Sequence, residues 1–195
     1  MQFELSKEYL ERLSEAIAQK DVDFIRDSME GANPMDISQL LYEFNTDESK
    51  FVIEHLEKEV GGEIISELEE DTRERFLKVF TEKEIAEYIE YIDSDDAADI
   101  LNELDPKIRE DVIANLANEE KAEHILELLK YEEDRAGGLM AKELIRANLN
   151  WSVVQTIEEI RRQAEFIDKV YTVYVIDNQS KLLGRVSLKK MILSS

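Results

Sequence analysis

From Asn33 onward the 195-residue chain repeats every twelve residues, and few folds can accommodate that period. In rows of twelve, the eighth position reads Leu40, Val52, Ile64, Phe76, Tyr88, Ile100, Val112, His124. The ninth reads Leu41, Ile53, Ile65, Leu77, Ile89, Leu101, Ile113, Ile125, and the twelfth Phe44, Leu56, Leu68, Phe80, Ile92, Leu104, Leu116, Leu128. Of these 24 positions only His124 departs from apolar character. Positions i, i+1 and i+4 make one apolar stripe of a helix. One continuous helix cannot use the pattern, because twelve residues turn the stripe by roughly 120° beyond three full turns. The chain must therefore break between rows.

The first positions of the rows supply the breaks. Asn33-Pro34 and Asp105-Pro106 place an N-cap residue before a proline at the first helical position. Thr81 with Glu84 reads as a capping box, and Asn45 with Glu48 and Asp93 with Asp96 as looser versions of it. Gly61-Gly62 reads as an interruption of the third row. The expectation is eight short helices in a wound array, each burying its stripe on its neighbours. Two further helices are expected before the repeat, over Ser6–Lys20 and Asp21–Glu30, the second closed by Gly31.

Charge divides the chain at a second glycine pair, Gly137-Gly138. Residues 136–195 hold nine Lys/Arg and six Asp/Glu, a balance of +3; residues 1–135 keep the other 15 and 40, a balance of −25. Nucleic acid needs the opposite sign and is excluded as a partner of the acidic part. Cations, basic partners or solubility remain. The repeat also aligns its acids, with Glu63, Glu87, Asp99, Asp111 and Glu123 at the seventh position and Asp47, Glu59, Asp71, Asp95 and Glu119 at the third. A solvated face explains such columns without a ligand. The densest cluster is DSDDAAD, residues 93–99, where Asp95 and Asp99 lie four apart on one helix face. Capping accounts for Asp93; a hard cation held by oxygen would account for the surplus. The chain has no cysteine, which removes disulfides and thiolate chemistry, and no apolar run long enough to span a membrane. A chain without a signal peptide, soluble and cytoplasmic, is expected.

Past the glycines the pattern changes. MAKELIRANL reads as extended or irregular, and Ser152 with Gln155 opens a helix over Val153–Ala164. VYTVYVI, residues 170–176, the turn Asp177-Asn178 and LLGRVS read as a hairpin, and Ser187 caps a last helix beginning LKKMIL. The fold class expected is therefore mostly α, a superhelical array followed by a small α/β domain. The acidic repeat, EEDRAGGLM, IRANLNWSVVQTIEEIRRQ and VYTVYVIDNQSKLLGRVSLKKMI together resemble the cytosolic part of the MgtE family of magnesium channels. The resemblance implies an N domain over residues 1–130, a hinge over 131–140 and a first CBS domain over 141–195, ending within its last helix. It implies that a second CBS domain and a membrane pore of the same polypeptide are missing here, and that the full-length protein is a homodimer. It further implies a soluble region at the cytoplasmic face of the inner membrane that senses Mg²⁺. Asp95, Asp96 and Asp99 would be ligands, with Glu63 and the carbonyl of Gly137. Mg²⁺ would bridge the N domain to the CBS domains and hold the channel closed. On its loss, the carboxylates would repel and release the pore.

Two other functions stay open: a helical-repeat adaptor for a basic protein, and a CBS-type adenine-nucleotide sensor. Against the latter, Gly184-Arg-Val-Ser187-Leu-Lys-Lys190 ends in lysine where the CBS ribose pattern has aspartate. His55 and His124 lack companions and read as packed imidazoles, and Trp151 as a packing staple. No Ser/His/Asp set or phosphate loop appears, so the chain reads as a non-enzyme.

Overall fold

One helix forms per row. The computed structural model describes residues 6–132, 135–163 and 172–193. Two helices precede the repeat, α1 (Lys7–Gln19) and α2 (Val22–Met29), the latter followed by Gly31 at φ 70°. The rows then give α3 (Pro34–Leu41), α4 (Thr46–Glu54), α5 (Lys58–Ser66) and α6 (Glu70–Leu77). They continue with α7 (Glu82–Ile89), α8 (Ser94–Asn102), α9 (Pro106–Ala114) and α10 (Glu119–Leu128).

The entries follow the sequence signals. Asn33 accepts from the Met35 amide with Pro34 behind it, and Asn45–Glu48 and Thr81–Glu84 are full reciprocal boxes. Asp93 departs from expectation: it holds the N-cap backbone at φ −56°, ψ 150°, but its side chain does not make the cap hydrogen bond. The exits repeat even more strictly. In seven consecutive rows the amide of the twelfth residue donates to the carbonyl of the ninth, from Phe44→Leu41 to Leu116→Ile113, at 3.1–3.3 Å. Each helix thus tightens into a 3₁₀ turn whose last residue is apolar and folds back onto the core.

Helices pack mainly on alternate rows, α3 on α5, α5 on α7, α7 on α9 and α8 on α10, so the packing unit is two rows. The eighth and ninth columns are buried from Leu40 to Leu101. Toward the end of the array Ile113 and Leu116 are half-buried, while Ile125 and Leu128 stay enclosed. His124 is half-buried in its column.

The first glycine pair does not interrupt its row. Gly61 and Gly62 are buried inside α5 because α7 lies against them. A Cβ on Gly61 would stand 2.6 Å from Tyr88 Cε1, and one on Gly62 would stand 3.0 Å from the Tyr88 carbonyl oxygen and 3.2 Å from Ile92 Cγ1. Close approach of two helices, rather than a turn, is what these glycines provide.

A second unit, residues 141–195, holds β1 (Ile145–Asn148), α11 (Val153–Gln163), β2 (Thr172–Ile176), β3 (Leu182–Ser187) and α12 (Leu188–Leu193). Its sheet has the order β1-β2-β3, β1 parallel to β2 and β2 antiparallel to β3. Ile145, Ala147, Ile160, Val173 and Met191 form its core. Ser152–Gln155 caps α11 and the Ser187 hydroxyl accepts from the Lys190 amide, as expected, whereas Trp151 stays 41% exposed. Ala164, the expected end of α11, and the first two residues of VYTVYVI lie outside the described residues, as do Glu133 and Asp134. Among the described residues no helix is long and apolar enough to cross a membrane.

Gly62→Ala tests the helix contact. In an exposed helix interior the change would stabilise by up to about 1 kcal/mol. Here urea unfolding is expected to show a loss of about 1–3 kcal/mol from overpacking against α7; a gain would mean that the contact has slack.

Candidate functional site

The amphipathic pattern of α8 decides where its acids point. Ser94, Ala97, Ala98, Ile100 and Leu101 are buried, which turns the remaining positions outward. Asp95 and Asp96 lie in the first turn, where the helix N-terminus favours negative charge, and Asp99 lies one turn on. Asp95 and Asp99 share a face and are half-buried, while Asp96 is exposed. Glu63, also half-buried, sits on α5, which packs against α8. The structure therefore gathers three of the expected ligands on one helix and puts the fourth on a helix in contact with it. Among the described residues, no group of three or more His, Cys, Asp or Glu side chains is arranged to hold a metal ion.

Gly137 follows α10 in an irregular segment and has a local reason to be glycine. A Cβ there would lie 2.3 Å from Cδ1 of the Tyr131 ring. The approach that requires glycine at this position is that of a ring.

Several basic residues of the repeat are drawn into its interior. Arg73, Arg109 and Lys121 all occupy the fifth position of their rows, a column otherwise made of Ile37, Ser49, Gly61, Ile85 and Ala97, each buried. Three long cations thus stand in a core column and must find partners inside. Arg73 donates to the carbonyls of Ser66 at 2.9 Å and Leu68 at 3.0 Å, and its Nε and Nη2 grip the Glu103 carboxylate, Nε at 2.9 Å from Oε2. Lys121 donates to the carbonyls of Glu90 and Ile92, and Arg109 to Asn102 Oδ1 at 2.9 Å. Outside that column, Lys50 reaches the Val79 carbonyl at 2.9 Å and Arg26 the His55 carbonyl at 2.8 Å. Arg73, Lys121, Lys50 and Arg26 all satisfy carbonyls left open at helix C-termini, where the dipole also favours a cation.

Arg73–Glu103 is the enclosed pair, with side chains 12% and 8% exposed, against 91% and 67% for Lys7–Glu11 on the surface. Burial opposes the Arg73 charge, but the hydrogen bond and charge of Glu103 outweigh it and raise its pKa, with Glu70 and Asp96 adding to the effect. Lys50 follows the same logic between Glu84 and Glu54. Glu84 is held below the usual carboxylate range first by the Thr81 amide, then by the Thr81 hydroxyl and Lys50, against a smaller cost of burial.

The family model of the MgtE intracellular N domain matches residues 32–134, the span of α3 to α10 with the segment after them. The chain belongs to this family. The magnesium transporter MgtE of Enterococcus faecalis is 34% identical to it over 70 residues, and that of Thermus thermophilus 36% over 67. These matches take in 36% and 34% of this chain but 16% and 15% of those relatives' lengths. The crystal structure of the soluble part of a magnesium transporter superposes on 97% of this chain and 74% of its own, with a TM-score of 0.83 at 24% identity, which shows the fold. The cytosolic domain of the Mg²⁺ channel MgtE in complex with ATP superposes on 95% and 76%, with a TM-score of 0.85 at 28% identity. The expected fold, an array of short helices followed by a small α/β unit, is the one found.

In this MgtE N domain the cation column escaped the sequence reading, although its signal was present. Five of eight fifth positions are small or apolar, so the three cations beside them mark buried partners rather than surface charge.

The capping box of α7 carries a pH prediction. Because the folded-state pKa of Glu84 is depressed, its contribution is present above the unfolded carboxylate pKa and is lost as pH falls through the folded one. Urea unfolding of wild type is expected to weaken over that acidic window more steeply than that of Glu84→Gln, the variant being the less stable at neutral pH. Parallel pH profiles would show that the box contributes nothing.

Proposed function

We propose that this chain is the cytosolic Mg²⁺-sensing region of a magnesium channel or transporter. In this reading carboxylates of its N domain hold Mg²⁺ against the CBS part and thereby gate transport. The supporting observation is a mismatch of charge. Residues 1–135 carry 40 acids and 15 bases, and several of those bases are drawn into the array to satisfy helix ends. The outward acids of α8 therefore lie on a surface of strong net negative charge, and a bound cation relieves repulsion there.

The donor set suits Mg²⁺, which takes oxygen ligands, often uses only one or two carboxylates and keeps several waters. Asp95 and Asp99, one turn apart on a half-buried face, would hold it, with Asp96, Glu63 and the Gly137 carbonyl as further candidates. Water completes the coordination. The bound ion supplies positive charge among like charges; its loss leaves α8 to repel neighbouring acids. Residues 131–140 then act as the hinge between an N domain over 1–130 and a first CBS domain over 141–195. The working protein would add a second CBS domain and a pore, pair as a homodimer, and lie at the cytoplasmic face of the membrane.

The relative's complex with ATP supports a nucleotide as a second ligand of the CBS part. In this chain the Ser187 hydroxyl already accepts from the Lys190 amide, and the lysine replaces the acid that would grip a ribose.

Limited proteolysis tests the main reading. Millimolar Mg²⁺ is expected to protect residues 129–140, while NaCl of equal ionic strength is not, and Asp95→Asn with Asp99→Asn is expected to abolish the protection. Identical digestion in both salts would instead favour an adaptor for a basic protein.

A further inference from the structure

The groups described so far leave open what holds α5 and α8 in place when no cation joins their acids. We infer that Arg73 is the positioning residue of the divalent-cation site, fixing α8 relative to α5; this rests on the proposal that α8 carries that site. Arg73 belongs to α6, yet each of its donors leaves that helix. One nitrogen binds the carbonyls of Ser66 and Leu68, the end of α5 and its exit turn. The other two bind the carboxylate of Glu103, the C-cap of α8. One guanidinium thus ties the helix of Glu63 to the helix of Asp95 and Asp99, and both its side chain and Glu103 are nearly enclosed. No apolar residue at this column position could do the same, and lysine keeps the charge but lacks the planar fork that grips Glu103 through two nitrogens. Residues that orient metal ligands from behind are worth roughly 10–100-fold in affinity.

The sign of one substitution separates position from charge. Arg73 is a fixed cation close enough to Asp96 for each to feel the other's field. If its charge were all that mattered, Arg73→Gln would remove a repulsion and tighten Mg²⁺ binding. If it positions the helices, the same change loosens the site despite the more negative surface. Arg73→Lys keeps the charge and loses the fork, so it is expected to fall on the weak side as well.

The experiment is a Mg²⁺ titration of the full 195-residue chain, wild type and both variants, read by calorimetry and by protection of residues 129–140, with circular dichroism to establish folding. Midpoints raised roughly tenfold or more in folded variants are expected. A wild-type midpoint, or a lower one, in either folded variant overturns the inference. Should Arg73→Gln not fold, Arg73→Lys decides alone; should neither fold, Arg73 is a determinant of the fold and the inference is overturned. Failure of the underlying proposal looks different, because wild type itself would then give no Mg²⁺ response.

Discussion

Helices of eight or nine residues are too short to persist alone in water. Everything in the first unit therefore depends on each row burying its apolar stripe against the row two places on. The stripe is narrow, so alignment must be renewed at every turn. The recurring hydrogen bond from the twelfth amide to the ninth carbonyl provides this, ending each helix at the same phase and returning an apolar side chain to the core. Gly61 and Gly62 belong to the same requirement, since α5 and α7 approach too closely for a methyl group between them.

A stack of short helices also has many ends, and each end leaves carbonyls without partners. Arg26, Lys50, Arg73 and Lys121 serve these ends, and three cations do so or reach a side-chain oxygen from a column otherwise built of core residues. The architecture thus directs positive charge inward. Acids dominate the outward faces, and the surface becomes more negative than a count of residues implies. Exposed pairs such as Lys78–Glu74, at 64% and 48% exposure, do little to change that, because solvent screens them.

This links fold to the proposed function of the MgtE N domain. A regulatory surface of carboxylates costs stability through self-repulsion, and a divalent cation that relieves the repulsion shifts the population of the conformations in which its ligands are close. In that proposed scheme the enclosed Arg73–Glu103 pair is a rigid element next to a responsive one. Removing one partner of such a pair costs about 3–5 kcal/mol, because the other charge is left buried. The helices that bear the acids can therefore keep their places through changes in ion concentration.

The sequence alone determined the period, the helix starts at Asn33, Asn45, Thr81 and Asp105, the change of class after Gly138 and the strand–helix order beyond it. These are legible because caps, prolines and apolar spacing act within a few residues of one another. It also marked α8 as the densest acidic element. What it misread depends on neighbours distant in the chain. Gly61-Gly62 looked like a break because glycine is a local breaker, and only the ring of Tyr88 shows it to be a contact. Asp93 looked like a capping side chain and is a cap in backbone only. Arg73 carries no local mark beyond its place in the fifth column. Its burial, its hold on Glu103 and the pairing of alternate rows arise only when segments some thirty residues apart are brought together, because a charge takes its meaning from what surrounds it in space.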